Sequence, residues 1–381
     1  MLIAMSAGQG LEEVTMVAMR GIRRGRAISS VTGVGAIVAL AFSLSACGSS
    51  AASPTTPPGQ AASPTTTILP PASQIATPTP TATPAPTLAP TATALTIPTI
   101  PTKSGSVVAW GDDSSGQTDV PKNLANVVQV AAGDEFSVAL KADGTVVVWG
   151  GDGQETAIPS NVNHVVQISA GSSFAVALES DGTVVGWGDN SDKELDPPAT
   201  LGKVVQVSAA GGHVLALRSD GTVAAWGSDA NGEIDVPAGL ANVVQVSAGY
   251  DFSAALERDG TVVVWGDKNP TDQASGVTQV PAGLVARSIS AGYYHCLAVT
   301  TDGKVVAWGA NDSEQSTPPA FSLPVSTVVA GGDFSLAVTT DGKVVAWGGN
   351  GSGEATVPAS VTTALSVDAG GSHALAVVAG S

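Results

Sequence analysis

From residue 104 onward, short runs of valine, alanine, leucine and isoleucine alternate with tight clusters of Gly, Asp, Asn and Ser on a fixed cycle. The cycle is clearest as Asn242-Val243-Val244-Gln245-Val246-Ser247-Ala248-Gly249, then Phe252-Ser253-Ala254-Ala255-Leu256, then Asp259-Gly260-Thr261-Val262-Val263-Val264-Trp265-Gly266. Runs this short, rich in β-branched residues and bounded by turn formers, predict strands and not helices. Asp-Gly at 143, 181, 220, 259, 302 and 341 joins two such runs each time, and both central residues of that hairpin turn favour positive φ. The stretch after each Trp-Gly, such as Gly116-Gln117-Thr118-Asp119-Val120-Pro121, predicts a loop with a short outer strand, where proline suits an edge.

Tryptophans fall at 110, 149, 187, 226, 265, 308 and 347, spaced by 39, 38, 39, 39, 43 and 39 residues, and each precedes Gly. Four short strands in about 40 residues make one blade of a β-propeller. An open stack of such units is the alternative, and the ends decide between the two. The first unit begins late, with Ser106-Val107-Val108-Ala109-Trp110-Gly111, and the last breaks off after His373-Ala374-Leu375-Ala376-Val377-Val378. The two fragments complement each other, which a ring requires and a solenoid does not. The expectation is an all-β, seven-bladed β-propeller closed by its N-terminal strand, a closure that also removes exposed sheet edges.

The N-terminal part has a different composition. Arg20, Arg23, Arg24 and Arg26 precede an uncharged apolar run from Val31 to Leu44, then Leu44-Ser45-Ala46-Cys47. A basic region, a short apolar core and a small-residue cleavage site make a secretory signal, and the core is too short to span a membrane comfortably. The four residues ending at Cys47 resemble the lipobox of bacterial lipoproteins, which implies diacylation of Cys47 and stable anchoring by two acyl chains. From Gly48 to Thr102 there is no charged residue, and Pro, Thr, Ala and Ser dominate. Such a stretch cannot bury enough apolar area to fold, and as polyproline II it would reach on the order of 170 Å. Three parts are expected: a lipoprotein signal peptide over 1–47, a disordered Pro/Thr/Ala/Ser-rich stalk over 48–103 and the propeller over 104–381.

Charge narrows the partners. The chain carries 15 basic against 32 acidic residues, a net charge of −17. Loss of the arginine-bearing leader makes it more acidic still, so it repels phosphate backbones and nucleic acid is not an expected partner. Cys47 and Cys296 are the only cysteines, and lipidation of the first leaves no intramolecular disulfide.

The pattern Ala-Gly, two variable residues, Phe or His, a small residue, three apolar residues, Asp-Gly, four residues, Trp-Gly resembles the regulator-of-chromosome-condensation repeat over 104–381. Within that superfamily the short period and the Gln-Thr-x-Val-Pro segment are most similar to bacterial β-lactamase inhibitor protein II. The resemblance implies the propeller fold, and it implies that aromatic residues in the loops after Ala-Gly grip a protein partner. Five of the seven loops offer only Ser, Gly or acidic residues, a departure from the inhibitor's aromatic pattern.

Those loops are also where the repeat varies: Asp134-Glu135, Ser172-Ser173, Gly211-Gly212, Tyr250-Asp251, Tyr293-Tyr294, Gly332-Asp333 and Gly371-Ser372. Residues that vary at one point of every blade ring one mouth of the channel and tend to bind. Tyr250, Tyr293 and Tyr294 are the candidate hot patch, with Asp134, Glu135, Asp251 and Asp333 as an acidic surround. The tryptophans are expected to wedge between blades. His213, His295 and His373 align with Phe136, Phe174, Phe252 and Phe334, and Cys296 aligns with Ser137, Ala175, Val214, Ser253, Ser335 and Ala374, so both sets predict core positions and not a metal site. Asp229 to Asp235 resembles a calcium loop but lacks the terminal bidentate Glu. No catalytic triad, phosphate-cradling loop or carboxylate pair stands out. The expected function is therefore non-enzymatic: an exported, lipid-anchored monomer with no cofactor, facing outside or into the periplasm, whose loops bind an extracellular or periplasmic protein or glycan. Inhibition of a β-lactamase or penicillin-binding enzyme is one alternative, and a calcium-dependent hydrolase is another.

Overall fold

The computed structural model describes residues 94–151, 153–268 and 275–380. The signal peptide, Cys47 and the stalk up to residue 93 lie outside the described residues. Gly105–Gly111 forms β1, and three-stranded antiparallel meanders follow. They are β2 to β4 (Val127–Ala132, Phe136–Lys141, Val146–Gly150), β5 to β7 (Val165–Ala170, Phe174–Glu179, Val184–Gly188) and β8 to β10 (Val204–Ala210, His213–Arg218, Val223–Gly227). Next come β11 to β13 (Val243–Ala248, Phe252–Glu257, Val262–Gly266), β14 to β16 (Ala286–Ala291, His295–Thr300, Val305–Gly309) and β17 to β19 (Val325–Ala330, Phe334–Thr339, Val344–Gly348). The last pair, β20 (Ala364–Ala369) and β21 (His373–Ala379), takes its third strand from the other end of the chain. β1 pairs with β21 from Gly105 opposite Ala379 to Gly111 opposite His373.

The expected outer strand is not formed. The stretch after each Trp-Gly folds into turns of its own, as where Val120 N donates to Thr118 O (2.9 Å). Proline and turn-forming residues there leave too few free donors for a ladder. Gly150, after Trp149, has φ +80°, a conformation that disfavours a side chain. The glycine of Ala-Gly has another cause. At Gly133, Gly171, Gly249 and Gly331 a Cβ would collide with the ring of the Phe three residues later.

The core lies between units and not within them. Phe136, Val138 and Leu140 of one unit pack with Val165, Ile168, Ala175 and Trp187 of the next, and the same grouping recurs along the chain. Each fully buried Phe or Leu contributes roughly 1.5–3 kcal/mol. The inner strands β2, β5, β8, β11, β14, β17 and β20 line a channel, each touching the next and β20 touching β2. A register shift early in each inner strand opposes two residues to one. Just past it, Gln129 donates to Ile168 O (3.0 Å) and accepts from Ile168 N (3.1 Å). Gln167, Gln206 and Gln245 do the same with Val207, Val246 and Ile289. These amides stand in for the peptide ladder that cannot form between diverging strands.

A second junction lies nearer the loops. Trp149 Nε1 donates to Gln117 O (2.9 Å), and Ser137 Oγ donates to the same carbonyl (2.8 Å). His373 Nε2 lies 3.0 Å from Ser137 Oγ. Because the hydroxyl spends its one proton on the carbonyl, the imidazole must donate, which assigns the Nε2–H tautomer. The arrangement recurs as His213, Ser253, Glu233 O and Trp265, and as His295, Ser335, Gln315 O and Trp347. Where Phe136, Phe174, Phe252 or Phe334 replaces His, the next unit carries Ala175, Val214, Cys296 or Ala374 instead of Ser. Burial pushes the Cys296 thiol far up, so it is an inert core group.

Residues 94–101, which the expected boundary after 103 assigns to the stalk, pack against the strands. Leu95 N donates to Ser219 O (2.9 Å), and Leu95, Ile97 and Ile100 pack against successive units near the starts of the inner strands. With Thr96, Pro98, Thr99 and Pro101 they border the channel's mouth on the side of the Asp-Gly hairpins. Three apolar side chains falling on unit boundaries are enough to order a chain whose prolines have already lowered its entropy.

The buried imidazole pairs are testable by chemical unfolding of the full chain. Ser253→Ala strands the His213 Nε2–H and is expected to cost about 1–3 kcal/mol, whereas adding His213→Phe, which recreates the Phe–Ala pairing, restores most of the loss. A double variant no more stable than Ser253→Ala would refute the pairing.

Burial also lowers the imidazoles, His213 to about 3 and His295 and His373 to about 4, against an ordinary 6.5. Their stabilisation is complete above pH 6.5 and is lost as pH falls toward those values. Asp368, pushed up to about 7 by burial, acts in the opposite sense, since its contribution is full below 3.8 and lost as pH rises through 7. Near pH 5 each of the three imidazoles makes stability fall by about 1.4 kcal/mol per pH unit on acidification, a slope that Asp368 opposes together with Asp134 and Glu194, whose carboxyls burial also raises. The His213→Phe/Ser253→Ala variant should lose about 1.4 kcal/mol of that slope, read from unfolding curves between pH 4 and 7.

Candidate partner-binding face

The loops after the inner strands and the loops after Trp-Gly share one face, because a backbone bond joins them in every unit. Gly151 N donates to Glu135 O (2.8 Å), Asp189 N to Ser173 O (2.9 Å), Asp267 N to Asp251 O (2.9 Å), Ala310 N to Tyr294 O (2.8 Å) and Asp112 N to Ser372 O (2.8 Å). Further bonds pass from one unit's loop to the next: Asp134 N to Ser172 O, Ser172 N to Gly211 O, Tyr250 N to Gly292 O, Tyr293 N to Gly331 O and Gly332 N to Gly370 O, all within 2.9–3.2 Å. The candidate residues are thus held on a braced rim.

The three tyrosines meet. Tyr250 and Tyr293 ring centroids lie 4.7 Å apart, Tyr250 and Tyr294 6.0 Å, and Tyr293 and Tyr294 6.3 Å at 88°. All three are half-buried. Tyr293 does more than join the patch: its hydroxyl donates to Asp134 Oδ1, reaching from the β14–β15 loop to the β2–β3 loop across the mouth. Gly371 lies beneath this bridge, where a Cβ would come 2.6 Å from the Tyr293 hydroxyl. Burial pushes the Asp134 carboxyl up while the Tyr293 bond works against it, and burial together with Asp134 pushes the Tyr293 phenol well up. Tyr250 is raised as well, first by burial and then by the charges of Asp134 and Asp251.

Below the bridge is a cavity of about 120 Å³ lined by Ser169, Ser208, Ser247, Ser290 and Asp368 among small residues. The serine hydroxyls accept from Ala209, Ala248, Ala291 and Ala330 N, while Asp368 accepts from Ala132 N (2.9 Å), where β20 meets β2. Sequence reasoning passed over Asp368, although its signal was an Asp in a column that holds Ser in four units and Ala131 or Val329 in the other two.

The outer members of the site stand apart. Glu135 is exposed and accepts from Ser115 Oγ (3.2 Å), Asp333 is exposed with Gln315 Nε2 at 3.5 Å, and Asp251 is half-buried beside Tyr250. The segment resembling a calcium loop is otherwise engaged. Glu233 turns inward to accept from Asn231 N (2.7 Å), and Asp235 pairs with Lys268. Among the described residues no group of three or more His, Cys, Asp or Glu is placed to hold a metal ion, and no helix is long and apolar enough to cross a membrane.

A family model described as the regulator of chromosome condensation (RCC1) repeat matches residues 127–154, 165–193, 204–233, 243–270, 286–315 and 325–354. The chain carries six RCC1 repeats. Each runs from an inner strand through Trp-Gly, and those over 204–233, 286–315 and 325–354 end on the buried Glu233, Gln315 and Glu354 whose carbonyls accept from the indole of the next unit. The unit β20–β21–β1 lies outside the matches. No curated protein matches.

Solved structures with this architecture include Prp20p from Saccharomyces cerevisiae, 19% identical over 74% of this chain and 93% of that one (TM-score 0.64). Human WBSCR16 is 20% identical over 72% and 100% (TM-score 0.58). The ectodomain of the Physcomitrella patens receptor kinase CR4 is 24% identical over 64% and 67% (TM-score 0.53). At these identities the likeness establishes an RCC1-like propeller fold. The loop residues of this face are the chain's own.

The bridge yields a direct expectation. Tyr293→Phe keeps the ring cluster and removes the donor to Asp134, which should lower stability at neutral pH by about 1.5–3 kcal/mol, the worth of a hydrogen bond to a charged group. Unfolding curves that coincide with the parent would refute a structural role for the bridge.

Proposed function

We propose that this chain is an exported, membrane-anchored interaction module, a closed ring of seven blades held by a lipid on Cys47 and binding a protein through the face that carries Tyr250 and Tyr294. The observation that carries this reading is the tyrosine cluster, set on a braced rim where the repeat's own pattern calls for no aromatic residue. Half-exposed aromatic groups on a rigid support are the usual anchors of protein interfaces. Pairing of β1 with β21 supports closure of the ring. The solved relatives are compatible with such a role. Prp20p is described with its binding to Gsp1p and histones, and the CR4 propeller belongs to a receptor ectodomain.

Tyr293 is better read as part of the scaffold than as an anchor, because its hydroxyl is committed to Asp134. The variant that tests the face is therefore Tyr250→Ala with Tyr294→Ala, leaving Tyr293 in place. The full chain used as bait on native envelope extract should retain a protein that the double variant releases, with the two melting alike. Equal retention by the variant would overturn the reading. Inhibition of a β-lactamase or penicillin-binding enzyme would use the same aromatic patch, and it makes the further demand that the full chain slow such an enzyme in a panel.

A further inference from the structure

Charge is distributed unevenly between the two faces. On the loop face the charged residues are mostly acidic, with Lys193 and Lys268 as cations and Lys268 paired with Asp235, while Lys122 and Lys203 fall late in their loops, close to the start of the next inner strand. The hairpin face is mixed: Lys141 pairs with Asp143 and Lys304 with Asp302, and Arg218 and Arg258 lie beside other Asp-Gly turns. Repetition alone does not produce this contrast, because each repeat supplies loops to both faces. Within the acidic face the tyrosines form one platform, with two rings nearly perpendicular and with Asp134 and Asp251 close enough to raise the Tyr250 phenol.

Resting on the reading that this face binds, we infer that its partner is a cationic protein segment, whose lysine or arginine side chains lie on the Tyr250 and Tyr294 rings beside Asp251, with Asp333 and Glu135 farther out on the same rim. Three physical points lead there. Tyrosine faces attract ammonium and guanidinium groups, and the attraction grows as water is excluded. Carboxylates around the rings add a field of the same sign, which steers a cation in and rejects acidic surfaces. A neutral partner such as a glycan would cover those carboxylates without counter-charge and bear their desolvation. The Tyr293–Asp134 bridge crosses the mouth on this face above a small cavity, so the ligand lies across the rim instead of threading the channel from this side.

Calorimetric titration of the full chain with decalysine, its Nε-acetylated form, decaglutamate and chitohexaose tests this inference. Decalysine should bind, weaken at least tenfold between 50 and 500 mM salt, and displace the protein captured from envelope extract, while the other three do not. Three sets of variants separate a site from bulk charge. Tyr250→Ala/Tyr294→Ala, which alters no charge, should weaken decalysine at least fivefold, as should Asp251→Asn/Asp333→Asn. Asp181→Asn/Asp259→Asn removes the same charge from the hairpin face, in turns that accept Asn-Gly equally well, and should change binding less than twofold. Equal losses from the two carboxylate pairs, no loss from the tyrosine pair, or binding of acetylated peptide or chitohexaose as tightly as decalysine would each overturn the inference. If the tyrosine variant releases the captured protein and decalysine does not displace it, the face binds and the cationic assignment is wrong.

Discussion

At most boundaries between units two sheets meet through their side chains with no backbone ladder passing between them, yet indole, hydroxyl, imidazole and peptide groups are buried there. The exception among the described residues is Gly105 of β1 opposite Val127 of β2. Buried polar groups without partners are costly, and the structure depends on how most of them are satisfied, with Trp187 Nε1 and the Nδ1 atoms of His213, His295 and His373 left without a hydrogen-bond partner. The glutamine amides act as surrogate peptides between inner strands. Nearer the loops, one carbonyl, that of Gln117, Glu233 or Gln315, receives both the indole and the serine of the next unit. The side chain of that same residue is buried and fixes its own loop, as where Glu233 accepts from Asn231 N. A position that looks like an ordinary loop residue therefore couples packing within a unit to packing between units.

The same constraint explains the seam. Where β20 meets β2, as where β17 meets β20, there is neither the glutamine bridge nor the serine bond found at other boundaries, and at the seam Asp368 accepts from Ala132 N. A buried carboxyl is a poor choice for stability alone, as its raised pKa reflects. It can nonetheless bind a backbone N–H more strongly than a hydroxyl can. The seam draws further support from β1 on β21 and from the arm 94–101, whose Leu95, Ile97 and Ile100 span the units following it. Residues from both ends of the described chain are thus gathered around the junction that the repeat itself does not supply.

Much of this was legible in the sequence. The Trp-Gly spacing, the Asp-Gly turns and the split first and last units anticipate the meanders and the β1–β21 pairing. The aligned columns also held the His–Ser pairing, but it is readable only with a shift of one unit, since each His meets the Ser of the following unit. The arm was hidden by its composition: Pro and Thr argue for disorder, and only the surface it meets gives Leu95, Ile97 and Ile100 a reason to be placed. The outer strand was over-read, because apolar pairs such as Val120-Pro121 suit an edge but cannot sustain a ladder. At the candidate site, sequence placed Tyr250, Tyr293 and Tyr294 on neighbouring units. It could not reveal that Tyr293 reaches Asp134, because that contact depends on the width of the channel mouth and on Gly371 leaving room for it.

That bridge bears on what the molecule can do. A propeller can act through its channel or across its rim, and here the channel is narrowed from both ends. At one end Tyr293 and Asp134 cross above a cavity of about 120 Å³, and at the other the arm borders the opening. A channel enclosed in this way, with its amides and serine hydroxyls already bonded to backbone, has little left to offer a ligand. The rim, by contrast, presents aromatic faces and carboxylates to the outside. Groups held rigidly in this way are preorganised for an outside partner, and such preorganisation reduces the entropy lost on binding.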